Sequence, residues 1–188
     1  MKRITMLILR AIIDNVMCFD FNNPVCTLTG NEFLPKPGIT FAQQVLDYFN
    51  SIGGQAQSPW GPVHLDMKGI QSDKSHGIGR IKASSFTAIK DVLEKGLIIL
   101  PLDYYATGGK KQMTGMMAAP ILIGMDSFIC VVVVIFNLTE GRLYLHETFL
   151  TEKIPEIAAS SLVRAGDTGS PQSQGSVAKI LQSFINSK

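Results

Sequence analysis

The sequence predicts an α+β fold in which helices pack on an antiparallel sheet. Two amphipathic helical patterns lie in the first half of the chain, and three strands joined by hairpin-length links lie in the second. The middle strand of the three, Ile129-Cys-Val-Val-Val-Val-Ile135, is apolar at nearly every position. Such a strand needs cover on both faces, and helices supply at least one of the covers.

The elements follow in order. The segment from Met1 to about Val25 is apolar and closes at the turn signal Asn22-Asn23-Pro24. Its Lys2-Arg3 and Ile4 to Leu9 resemble the start of a secretion signal, but Arg10 interrupts the run and Asp14 follows, so a short buried helix or strand is expected. Phe41, Val45, Leu46 and Phe49 recur at helical spacing, with Thr40 as N-cap and Gly53-Gly54 as stop. Gly61-Pro-Val-His-Leu-Asp66 alternates as a short strand, and a polar loop is expected from there to Arg80. Ser84 or Ser85 offers an N-cap to a second helix carrying Phe86, Ile89, Val92 and Leu93, with Gly96 at its end.

Leu97 to Pro101 reads as a short strand and Asp103 to Gln112 as a polar loop. Three strands, Ala119 to Ile123, Phe128 to Phe136 and Arg142 to Phe149, are linked by Gly124-Met-Asp-Ser and Asn137-Leu-Thr-Glu-Gly141, which suit an antiparallel meander. Arg164 to Gly175 has the Gly, Ser, Gln and Pro content of a flexible linker, and Val177 to Ile185 can close as a small docking helix.

Composition limits the function classes. The chain has 188 residues, 46% of them hydrophobic and 17% charged, which suits one well-filled core with tails. A formal net charge of +2 is too small to make the whole surface attract a polyanion, so a nucleic acid would have to be held by a local patch. From Asp66 to Lys111, eight Lys and Arg face five Asp and Glu, a local excess of three. Cys18, Cys26 and Cys130 cannot complete a disulfide framework, which points to a reducing compartment, and Cys130 inside its apolar run should act as a small hydrophobe. No CxxC or HExxH spacing occurs, so no metal site is expected; His64, His76 and His146 come from three separate segments. The apolar run from Phe128 to Phe136 is far below the roughly 20 residues a membrane helix needs, and no membrane association is expected.

Chemistry concentrates in two places. In Lys74-Ser-His-Gly-Ile-Gly-Arg80-Ile-Lys82, glycines let backbone N–H groups approach an anion, cations supply charge, and His76 can move a proton near neutral pH. Strand alternation in Arg142 to Thr148 puts Leu143, Leu145 and Glu147 on one face and Arg142, Tyr144, His146 and Thr148 on the other. Metal-free RNA cleavage needs a base for the 2′-hydroxyl, an acid for the leaving 5′-oxygen and cations for the phosphorus centre. His76 and His146 are the candidate proton carriers, with Tyr144 and Lys82 beside them. Arg80, Lys74, Lys110 and Lys111 are candidate phosphate ligands; Thr107 precedes a glycine pair that can present backbone donors, and Tyr105 can stack a base. A P-loop and a GxSxG elbow are both absent.

Leu28-Thr-Gly-Asn-Glu-Phe33, Asp47-Tyr-Phe-Asn-Ser-Ile-Gly-Gly54, His76-Gly-Ile-Gly-Arg-Ile-Lys82, Ala118-Ala-Pro-Ile121 and Leu143-Tyr-Leu-His-Glu147 occur in an order that resembles a phage or mobile-element domain attached to large polyvalent proteins. That domain is grouped with the barnase, EndoU, colicin and RelE nuclease-like superfamily. The resemblance implies N-terminal helices packed on a roughly four-stranded antiparallel sheet. Residues 1–27 would then be an apolar extension, 28–155 the nuclease-like domain, and 156–188 a flexible linker with a short C-terminal helix. It also implies a metal-independent, cofactor-free endoribonuclease or toxin working in the cytoplasm after phage delivery, with RNA such as tRNA as substrate and an inhibitor or phage protein as partner. The roles it implies fall on His76, Arg80, Lys82, Tyr144, His146 and Glu147. Two other readings stand beside it: a catalytically inactive module binding nucleic acid or protein, and a phage structural or assembly component.

Overall fold

The computed structural model describes residues 15, 18–74, 80–104 and 112–152. The chain divides into two compact units, Phe19–Glu152 and the terminal segments Met1–Cys18 with Lys153–Lys188; the sheet and helices belong to the first. The expected linker and closing helix beyond residue 163 lie outside the described residues. No described helix is long and apolar enough to cross a membrane.

Strand β1 (Thr27–Leu28) is followed by helix α1 (Phe41–Ser51), whose Thr40 hydroxyl accepts from the Gln43 amide as the capping pattern requires. The helix ends before Gly53 and Gly54, both at positive φ, which a residue without Cβ adopts at little cost. Strands β2 (Gln55–Ser58) and β3 (Gly61–His64) form a hairpin, then come α2 (Met67–Lys74) and α3 (Arg80–Ser84), a 3₁₀ turn (Ser85–Ala88) and α4 (Ile89–Lys95). Strands β4 (Leu97–Asp103), β5 (Gln112–Ile123), β6 (Asp126–Asn137) and β7 (Arg142–Glu152) complete the unit.

The expected loop before Arg80 contains α2, and the helix expected to start at Ser84 or Ser85 begins earlier. Those serines do not cap. Ser85 Oγ donates to the Lys82 carbonyl and Thr87 Oγ1 to the Ser84 carbonyl, so both hydroxyls bond back into the preceding turn. The C-terminal stop at Gly96 is as expected, its N–H donating to the Val92 carbonyl.

Among the described residues the strands form one curled, mixed, seven-stranded sheet in the order β1-β5-β6-β7-β3-β2, with β4 also on β5. The β5-β6-β7 meander is antiparallel along its length, as the hairpin links predict. The overall architecture is nevertheless different from N-terminal helices packed on a roughly four-stranded antiparallel sheet. Two parallel pairings produce the difference: β1 beside the end of β5, and β3 beside the start of β7. These bring the N-terminal hairpin into the sheet, and most helices fall between β3 and β4 in the chain.

The curl is visible at Trp60. It sits in the β2–β3 turn, yet a Cβ on Gly115 of β5 would lie 2.8 Å from its ring, although β7 and β6 separate β3 from β5. The concave face holds the main core: Val45 and Phe49 of α1, Phe86, Ile89, Val92 and Leu93 pack with Met117, Cys130, Val132, Val134, Leu143 and Leu145. Burying a ring such as Phe49 or Phe86 contributes on the order of 2–3 kcal/mol, and the pair Phe41–Phe86 meets edge to face with centroids 5.6 Å apart. On the opposite face Met116, Ala118, Ile129, Val131 and Val133 are buried too, so β6 is covered on both sides. The β4 edge is blunted by Pro101 and two register shifts, devices that discourage further strand pairing.

Two local constraints lock the unit. Helix α2 lies so close to β7 that a Cβ on Gly69 would be 2.7 Å from the Leu145 carbonyl oxygen. Backbone on one side leaves no flexible group to yield, so Gly69→Ala should destabilise the protein by about 1–3 kcal/mol, measured by urea unfolding. At the other site, the Glu32 carboxylate accepts from the Thr29 hydroxyl at 2.8 Å and the Gly30 amide at 3.0 Å. Burial acts to raise its pKa, but bonds from Ser84 and Thr29 outweigh it and hold the carboxyl down at about 2, from 4.5. A depressed folded pKa gives stability that is full above 4.5 and fades as pH falls through about 2. Glu32→Gln should therefore lower the urea midpoint at pH 7, and the difference from wild type should shrink through that window.

Candidate functional site

Strand β7 positions the described part of the site. Its outer-face residue Tyr144 is opposite Ile135 on β6 and opposite His64 on β3. Cross-strand partners share a face, and the His64 and Tyr144 ring centroids are 5.6 Å apart with planes inclined at 35°. Lys68, in the first turn of α2, places its ammonium 5.6 Å from the centroid of the same tyrosine ring, within cation–π range. Its helix is started by Asp66, whose Oδ1 accepts from the Lys68 amide at 2.9 Å and the Gly69 amide at 3.2 Å. The close approach at Gly69 then brings Lys68 over β7.

The Tyr144 hydroxyl donates to Glu140 Oε2, and the other Glu140 oxygen accepts from Asn137 Nδ2 at 3.0 Å. Asn137 also receives the Thr139 amide at 2.9 Å, which orders the β6–β7 turn that presents Glu140. The bond to Glu140 pushes the Tyr144 phenol above its ordinary pKa, burial and the Glu140 charge add to this, and the Arg142 guanidinium beside it opposes.

Beyond Tyr144 the strand alternation breaks. Val134 pairs with Leu145 and Val133 with Glu147, so His146 is the extra residue of a β-bulge. Every later residue is out of phase with the alternation read from the sequence. Glu147, expected beside Leu143 and Leu145, is instead opposite Val133, and Thr148, expected on the polar face, is fully buried opposite Val132. His146 is half-buried and Glu147 is only 8% exposed. A bulge re-aims a side chain, here an imidazole that comes along the strand after a half-buried tyrosine and before a buried carboxylate.

Lys82 meets the same strand further along, its ammonium 5.9 Å from the Phe149 ring centroid. Phe149 lies five residues past Tyr144, about 16 Å at a strand rise of roughly 3.3 Å per residue. Tyr144, His146 and the Phe149 ring that Lys82 of α3 meets are thus strung along one strand, whereas Tyr144 is gathered with His64, Lys68, Glu140 and Arg142. Arg80 opens α3 and Lys74 closes α2, with neither side chain described. His76, Tyr105, Thr107, Lys110 and Lys111 lie outside the described residues.

His64 and Lys68 were not legible as site residues. The alternation of Gly61 to Asp66 marks His64 as a polar position, but only the parallel β3–β7 pairing puts it against Tyr144. Among the described residues no three His, Cys, Asp or Glu side chains are grouped as metal ligands. No family model, curated protein or solved structure matches the chain significantly.

The Glu140 bond to Tyr144 has a direct consequence. Glu140→Gln should bring the Tyr144 phenol down toward its ordinary value, followed by the tyrosine Cζ chemical shift on alkaline titration.

Proposed function

We propose that this protein binds RNA and cleaves it without a metal ion, with His146 carrying one of two proton transfers and His76 the other. The observation that carries this reading is the β-bulge at His146. It sets a half-buried imidazole out of the ladder beside a buried carboxylate, on a strand that also bears a half-buried tyrosine and meets a lysine. Imidazole suits the task because it exchanges a proton near neutral pH.

In the reaction one histidine accepts the proton of the ribose 2′-hydroxyl as that oxygen bonds to phosphorus. The bond from phosphorus to the 5′-oxygen breaks, and the other histidine protonates the departing oxygen, leaving a 2′,3′-cyclic phosphate and a free 5′-hydroxyl. Lys82, with Lys74, Arg80, Lys110 and Lys111, is assigned the charge that builds on the phosphorane, Thr107 and its glycines a contact to phosphate, and Tyr105 a stacking contact. The phage or mobile-element setting, tRNA as a substrate and a cytoplasmic site of action belong to the same reading, since they rest on the motif resemblance.

Purified protein should cut total RNA in the presence of EDTA, and His146→Ala should slow the cut by about 10²-fold or more, the usual worth of one acid–base group. RNA left intact by the wild type, or cut equally well by a His76→Ala, His146→Ala double variant, would reject the cleavage. RNA that is retained but never cut would make the protein a binding module.

A further inference from the structure

The gathering of His64, Lys68, Arg142 and Tyr144 at the β3–β7 junction lies on the N-terminal side of the His146 bulge, on the same strand, and its members are assigned no proton transfer. Its two cations come from unrelated elements, Lys68 from the first turn of α2 and Arg142 from the start of β7. Both are exposed, and among the described residues neither forms an ion pair. The carboxylates nearby have other work. Asp66 caps α2 through the Lys68 and Gly69 amides, and Glu140 is bonded by both Tyr144 and Asn137.

A cation on a flexible stem normally wanders. Here Lys68 is held over the face of Tyr144, and the ring is itself held by the His64 ring on one side and by the Glu140 bond at its hydroxyl. Arg142 and Tyr144 are two residues apart on one strand, so both project from the same face, and the guanidinium lies beside the phenol. The result is an ordered pair of positive charges around an aromatic ring, with a guanidinium that spends one donor on the Tyr144 hydroxyl and has further N–H groups in its fork. That is how a protein contacts the phosphodiester backbone of a single strand: a point charge and a planar fork on the phosphates, with aromatic surface between.

We infer that His64, Lys68, Arg142 and Tyr144 form a backbone-phosphate subsite for single-stranded RNA, which engages the strand beyond the position of cleavage. The inference rests on the RNA-binding part of the proposed function and is independent of its chemistry. Lys68 and Arg142 contact phosphate, whereas His64 and Glu140 are positioning residues that act through the Tyr144 ring.

The test uses the full chain and a short fluorescent 2′-O-methyl oligoribonucleotide, which keeps the phosphates but lacks the nucleophile for cleavage. Binding is measured across a salt series. Each phosphate contact to a single strand contributes about 0.7 to the slope of log K against log salt, so Lys68→Ala with Arg142→Ala should make the slope shallower by about 1.4. Lys36→Ala, an exposed lysine remote in sequence from the junction, should leave the slope as in wild type, and Glu140→Gln should tighten binding by removing an opposing charge. Wild-type slope in the double variant, an equal loss in Lys36→Ala, or no binding by wild type would overturn the subsite. Cleavage of ordinary RNA with an unchanged slope would overturn the subsite alone. The expected slope change with no cleavage by wild type would overturn the catalytic reading alone, and competition by a mononucleotide as effective as the oligonucleotide would reassign the junction to a mononucleotide and overturn the strand-binding inference.

Discussion

Strand β6 carries its apolar run from Ile129 to Ile135 into an interior that is closed on both faces, and there its backbone polar groups have no water to bond. Only neighbours of similar length can satisfy them. β5 and β7 pair with it from end to end, so their lengths, the tight links between them and the register of the whole meander follow from that one requirement. The concave face then takes α1, the 3₁₀ turn and α4, because a curled sheet with an apolar inner surface must bury it against something.

The candidate site occupies the part of β7 where this requirement relaxes. β3 pairs with β7 only at Leu143 and Tyr144, after which α2 approaches the strand at Gly69. The bulge at His146 comes at the same place, just past the end of the parallel pairing. A strand held firmly by β6 on one edge and released by β3 on the other can admit an extra residue at low cost to the sheet. Polar side chains, excluded from most of the meander, accumulate there: Tyr144 with its cations on one side of the bulge, Glu147 on the other.

Local signals were readable where one residue does the work. Thr40 caps α1 and Gly96 ends α4, in each case through a bond to near neighbours, and Cys130 is buried within the apolar strand that contains it. Signals that needed several residues to agree were weaker. Gln55-Ala-Gln-Ser58 has one apolar position and does not announce a strand, and Met67 to Lys74 offers too few apolar positions to announce a helix, yet both are ordered by what packs on them. Ser85 misleads because a hydroxyl that can cap a helix can equally bond back into one, and Ser84 because its hydroxyl serves the Glu32 carboxylate instead. Of the site, Tyr144 and His146 stood out as polar residues on a half-buried strand, whereas His64 and Lys68 did not.

The amino-acid pattern by itself determined the antiparallel meander, the capped helix α1, the stop at Gly96 and the double-sided burial of β6, since hairpin links, caps and apolar runs act over a few residues. Tertiary structure alone decided the two parallel pairings, the curl that brings Trp60 to Gly115, the bulge at His146 and the meeting of His64, Lys68 and Tyr144. Those depend on segments distant in the chain. Parallel strands are joined by no short turn that a sequence could display, and a bulge shows itself only when the partner strand supplies the register against which one residue is extra.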